Sequence, residues 1–150
     1  MRRHRHEMMP YATWIGDYGA KTTGMDYIES LNIAGEMYDT LGPILEKYDA
    51  LICPTNALSA VPADFDSTTE KVKINGKEVD PFLGWVMTYP FNIMSRCPVM
   101  SVPSGLDRRG VPTGLQIVGR TYDDPTVFQI GAAVEAADPW YTKPSRRPKL

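Results

Sequence analysis

Histidine and cysteine are scarce in this chain, two of each in 150 residues. His4 and His6 both stand in a charged N-terminal run, "RRHRH". A Ser–His or Cys–His hydrolase needs an imidazole held rigidly as general base, and a loose basic end is a poor place to hold one. The H-x-H pair supplies two donors, short of a metal site. Cys53 and Cys97 are too few for a disulfide framework and too sparse for zinc. Each is followed by proline among apolar residues, where a free thiol behaves as a small hydrophobe.

Other absences narrow the field further. No G-x-G-x-x-G or G-x-x-x-x-G-K-[ST] phosphate loop occurs, and neither "GG" nor "SS" is present anywhere. No apolar run reaches the roughly 18 residues of a membrane span, and no h-region follows the charged start. Reduced thiols and a cytoplasmic location are therefore expected, with no membrane partner. The formal net charge is −2, and basic residues cluster only at Arg2 to His6 and Lys143 to Lys149. That pattern argues against a nucleic-acid partner. Residues 1–10 and 142–150 read as flexible tails on one segment, 1–150. No cofactor and no metal is implied.

What is present is a series of short elements. Met25, Ile28, Leu31, Ala34, Met37, Tyr38, Leu41, Leu45 and Tyr48 recur three and four apart, so Thr23 to Tyr48 reads as helix with one apolar face. Thr23 is the N-cap, and Gly42-Pro43 predicts a kink or a division into two helices. "DALICPT" and "PVMSVP" read as buried strands, with Pro103-Ser104-Gly105 as the exit turn of the second. "KVKINGKEV" reads as a hairpin about Asn75-Gly76. Pro81 to Ser95 could start a helix that Pro90 disturbs. "DRRG" is a turn, "TGLQIVGR" a third strand, and Asp124 caps a last helix with Pro125 at its first position. The order implies an α/β fold. Three strands and a hairpin form a small sheet for strands that want covering on both faces, a first hint of a missing half.

The stretch "FNIMSRCPVMSVPSG" poses the question of chemistry, since Ser95, Cys97, Ser101 and Ser104 stand close together in it. A desolvated lysine can serve serine as base. Yet Lys71, Lys73 and Lys77 decorate the hairpin, Lys47 ends a helix, and Lys143 and Lys149 lie in the tail. Lys21 alone adjoins a glycine-containing loop. The residues by themselves describe an α/β piece without a self-sufficient catalytic set.

"YDALICPT", "PFNIMSRCPVMSVPSG" and "GVPTGLQIVGR", followed by an Asp-Pro-started helix, resemble the C-terminal part of the amidase signature family. That family includes bacterial amidases and the amidotransferase A subunit acting on glutamyl-tRNA. The resemblance spans residues 11 to 141 and implies a mixed sheet flanked by helices, lacking its N-terminal half. The serines of the family's Ser–Ser–Lys triad lie in a Gly/Ser-rich segment of its N-terminal half, with the lysine upstream, and have no counterpart here, so no catalytic residue is carried over. Arg96-Cys97-Pro98 departs from the family's "NxxGxP". The resemblance implies a scaffold role, with Trp85, Tyr89, Asn92 and Gln116 as substrate-pocket candidates, the Asn92 and Gln116 amides able to satisfy backbone groups where loops meet sheet, and loops 58–66 and 85–89 shaping selectivity. The partner would be a small-molecule amide once the N-terminal half is supplied, or a second copy through self-association.

Overall fold

The computed structural model describes residues 2–94 and 97–144. A 3-10 segment, Arg2–Glu7, leads into α1 (Pro10–Gly19), and Arg5 binds Asp17 of that helix at 2.8 Å. Helix α2 (Gly24–Lys47) starts at a capping box: Asp26 N–H donates to the Thr23 hydroxyl, and Thr23 N–H donates back to the Asp26 carboxylate. No helix among the described residues is long and apolar enough to cross a membrane.

The expected break at Gly42-Pro43 does not occur; Pro43 sits inside one continuous helix. The donor that proline lacks would have served the Asp39 carbonyl, and both residues are exposed, so the lost bond strands no buried residue. Leu41 and Leu45, either side of Pro43, are buried in the core and hold both halves in place.

The sheet contains β1 (Ala50–Pro54), β4 (Val99–Leu106) and β5 (Pro112–Gly119) in the order β1-β5-β4. Both pairings are antiparallel, and among the described residues no parallel pair joins them. β5 is central, and its consecutive Ile117 and Val118 are both fully buried, one towards each face of the sheet. The separate hairpin pairs β2 (Val72–Ile74) with β3 (Lys77–Val79). Its turn has positive φ at both Asn75 and Gly76, the twist-matched geometry that this dipeptide favours.

Three further expectations are corrected. Pro103-Ser104-Gly105 does not end its strand: β4 continues to Leu106 through an irregularity between Pro103 and Gly105. An edge strand tolerates a proline and a bulge because one side makes no ladder bonds. The segment from Pro81 is mostly turn, and only α3 (Tyr89–Ile93) is helical, with Pro90 in its first turn, where a missing N–H costs nothing. The cap of α4 (Asp124–Ala137) is Asp123, which accepts from Thr126 N–H, so Asp124 is the first helical residue.

The two sheet faces are covered unequally. On one, Leu51, Val118 and Val99 pack with Leu41 and Leu45 of α2 and with Met94 and Phe91. On the other, α4 lies over β4 and β5, and a Cβ at Gly119 would come within 2.3 Å of Val127, so the close approach depends on that glycine. β1 lies outside this cover, and Ile52 is left 49% exposed. The front of α2 is also bare: Met25 is 74% exposed, although it belongs to the same apolar pattern as Leu45.

Leu45→Ala should therefore lower unfolding stability by about 2–5 kcal/mol, the cost of an emptied core site. Met25→Ala should change it by less than about 0.5 kcal/mol. Urea unfolding followed by circular dichroism separates them, and equal losses would show that the bare end of α2 is packed in solution.

Candidate functional site

The chemistry-bearing side chains gather at one end of the sheet, on the α2 side. Along that face β5 offers Gln116, flanked in register by Cys53 on β1 and Ser101 on β4. Gln116 is 0% exposed. Its Nε2 donates to the Pro54 carbonyl at 3.0 Å and to the Met87 carbonyl at 2.8 Å. This orients the amide, since turning it over would set Oε1 against two carbonyl oxygens. Among the described residues no donor meets Oε1.

The Met87 bond places the 85–88 loop. Backbone pairing reinforces it: Met87 N–H donates to Thr55 at 3.1 Å and Ala57 N–H donates to Trp85 at 2.8 Å, extending β1 past its proline. The Trp85 indole is pinned by its own N–H, which donates to the Pro81 carbonyl at 3.1 Å. Asp80 organises the approach by accepting from the N–H groups of Phe82 and Leu83. Each bond removes a conformational freedom from the loop.

The four pocket candidates are thus sorted by environment. Trp85 is half-buried and tethered, Tyr89 and Asn92 are exposed on α3, and Gln116 is wholly interior. The loop and Gln116 are brought together through Met87, while Gln116 itself presents no surface to a ligand. Ser95 lies outside the described residues. A cavity of about 340 Å³ opens nearby, lined by Pro54, Asn56, Ser59, Ser104, Thr113 and Gly114 among others. None of the four candidates lines it.

Two polar groupings were not legible beforehand. The Thr55 and Ser101 hydroxyls meet at 3.0 Å above Gly114, where a Cβ would stand 2.7 Å from the Thr55 oxygen. The Ser101 hydroxyl is thereby bonded to another hydroxyl, and among the described residues no amine or imidazole hydrogen-bonds to it. Asp107, at the β4–β5 turn, accepts from Ser59 Oγ at 2.5 Å, from the N–H groups of Val111 and Arg109, and from the Arg109 guanidinium. These bonds, the Ser59 hydroxyl foremost, hold its carboxyl well below the usual carboxylate range. An aspartate beginning a D-x-x-G turn was the available signal for this cluster.

The other candidate bases and nucleophiles lie apart. His4 and His6 both approach Glu7 in the N-terminal 3-10 segment. Lys71 and Lys73 are engaged by Glu78 on the hairpin, and Lys47 lies over the Tyr48 ring. Burial pushes both thiols up, an effect partly offset by Gln116 at Cys53 and by Thr121 at Cys97. Raised thiols are weak nucleophiles at neutral pH. Among the described residues no group of three or more His, Cys, Asp or Glu side chains is placed to hold a metal.

Gln116→Leu should remove the donor shared by the Pro54 and Met87 carbonyls and lower stability by about 1–3 kcal/mol. It should also speed amide exchange at Met87 above any global change, whereas unchanged exchange there would show that the backbone pairing alone holds the loop. The Asp107 contribution has a fixed sign. Its folded value is depressed, so the stability lost in Asp107→Asn is fully expressed above about pH 4 and shrinks as pH falls towards the depressed value. Urea midpoints of the two proteins from neutral to strongly acid pH should converge; a pH-independent gap would contradict this.

A family model described as Amidase matches residues 6–128. The chain is 32% identical over 141 residues to an acylamidase of Rhodococcus erythropolis, covering 93% of this chain and 28% of that one. It is 30% identical to the glutamyl-tRNA(Gln) amidotransferase A subunit of a Cyanothece strain, covering 91% of this chain and 26% of the relative. Among solved structures, a bacterial aryl acylamidase of the amidase signature enzymes superposes with a TM-score of 0.79 at 31% identity. That match covers 97% of this chain and 30% of the other.

Proposed function

Because this chain belongs to the amidase family, we propose that it supplies the scaffold and part of the substrate pocket of an amide hydrolase, with the Ser–Ser–Lys set acting from sequence outside these 150 residues. In that reaction a serine oxygen attacks the amide carbonyl, and lysine passes the serine proton towards the leaving amine. Backbone N–H groups hold the oxyanion, and water then releases the acid from the acyl-enzyme. The substrate is a small-molecule amide, and Trp85, Tyr89 and Asn92 face it from the 85–93 segment. Gln116 serves them from behind as a positioning residue.

The observation that carries the reading is the Gln116 clamp on Pro54 and Met87. It organises a wall beside hydroxyls that bond each other, a construction suited to positioning rather than to attack. The match to about 30% of a full-length relative fits the same division of labour. Cys53 and Cys97 are unpaired, which accords with a reducing, cytoplasmic setting.

A second reading, a non-catalytic interaction module, is favoured by the exposed apolar residues of α1 and α2. Size-exclusion chromatography with a dye reporting apolar surface tests it; a dye-silent monomer would remove its basis.

For the amidase reading, the chain alone should show no turnover of simple anilides and no fluorophosphonate labelling. Mixing it with the Rhodococcus acylamidase deprived of its matching 141-residue segment should produce anilide turnover that neither part shows alone. Stoichiometric labelling of Ser95, Ser101 or Ser104 in the isolated chain would overturn the reading.

A further inference from the structure

We propose that the cavity of about 340 Å³ between the 56–59 loop and the end of the sheet is a binding site for a compact neutral amide, held in shape by Asp107 acting through Ser59. The inference deepens the amidase reading and takes from it only that the ligand is an amide.

Both walls belong to this chain and are tied to each other. One is the segment after β1, from Pro54 to Ser59; the other is Ser104 of β4 with Pro112 to Leu115 of β5. Thr55 N–H donates to the Gly114 carbonyl at 3.0 Å, a first tie between them. The second is the Ser59 hydroxyl, which donates to Asp107 at 2.5 Å and accepts from the Arg109 guanidinium at 2.8 Å. Ser59 and Asp107 stand 48 residues apart, so the loop is folded back onto the β4–β5 turn. The N–H groups of Arg109 and Val111 fix the Asp107 carboxylate in turn. A wall ordered in this way before a ligand arrives lowers the entropic cost of binding. Ala57 N–H donates to the Trp85 carbonyl, so the loop also adjoins the 85–88 segment.

The lining selects the ligand. No charged side chain lines the cavity, and Asp107 and Arg109 behind Ser59 are engaged with each other at 3.1 Å. A carboxylate or ammonium entering would lose water without meeting an opposite charge. Neutral polar groups are present instead. The Ser104 and Thr113 hydroxyls meet at 2.9 Å, which uses one of their two protons and leaves the other to donate. Asn56 is fixed by its backbone bridge to Val86, and its carboxamide has no hydrogen-bond partner among the described residues. A carboxamide sets a donor beside an acceptor, the complement of another amide. Leu58, Pro112 and Leu115 supply apolar surface for the rest of the molecule. The volume stands at the lower end of small-molecule sites, about 300–1,000 Å³, which favours a compact ligand.

Benzamide and benzoate, alike in shape and different in charge, test this in an amide NMR titration of the full chain at neutral pH. Benzamide should saturate with a Kd of about 1–10 mM and shift the amides of residues 56–59 and 113–115. Benzoate should bind about tenfold or more weakly. Asn56→Leu and Thr113→Val each remove a polar group from the lining, and each should weaken benzamide about fivefold or more. Asp107→Asn removes nothing from the lining and loosens the loop, so it should weaken benzamide as well while leaving far-UV circular dichroism unchanged. Failure to saturate by about 50 mM, equal binding of the two probes, or indifference to any of the three variants would overturn the proposal. So would shifts confined to the separate cavity lined by Met100, Phe128 and Trp140. The titration uses the chain alone and involves no turnover, so its failure leaves the anilide complementation standing, and failure of complementation leaves the amide site standing.

Discussion

The amide of Gln116 is the polar group on which the site geometry depends. A fully buried side chain on a central strand must spend its hydrogen bonds inside the protein, because water cannot serve it. Both Nε2 donors are spent on carbonyls distant in sequence, Pro54 at the end of β1 and Met87 in the loop before α3. One residue thereby ties three segments together. The Trp85 tether and the Thr55–Met87 pairing act on a loop whose position is already set by that tie.

The central strand extends this organisation at its other end. Arg120, immediately after β5, donates to the Leu45 carbonyl with two guanidinium nitrogens and so caps the C-terminus of α2. The Thr121 hydroxyl donates to the Tyr38 hydroxyl further back along the helix surface. The strand thus carries a polar clamp at each end and fully buried apolar residues between, a distribution that fixes both helix and loop against one sheet. The arrangement is well built where it is dense and bare where it ends. Ile52, the front of α2 and the aromatic face of α1 are left as exposed apolar surface.

Much of this was readable from local pattern. The Thr23 cap, the Asn75-Gly76 hairpin and the three sheet strands follow from side-chain period and turn chemistry acting over a few residues. The misplacements share a cause. Pro43 looked like a break because local rules count its missing donor, whereas the outcome turned on Leu41 and Leu45 being held by a distant sheet. Pro103 looked like a strand end, and only the position of β4 at an edge made it tolerable. The Thr55–Ser101 hydroxyl pair joins residues 46 apart in sequence, and no short window contains it.

The amino-acid sequence by itself determined most of the elements and the family, since these are matters of residue identity and short-range order. Tertiary structure alone decided which polar groups are interior and what they hold. Gln116 reads in sequence both as a pocket candidate and as an amide able to serve backbone groups where loops meet sheet, and burial between β1 and β4 decides which carbonyls it holds. The apolar stripe of α2 reads as uniform, yet its end is core and its beginning is surface. The physical reason is common to both cases. Burial depends on which remote segments arrive at a residue, and that cannot be expressed in the spacing of its neighbours.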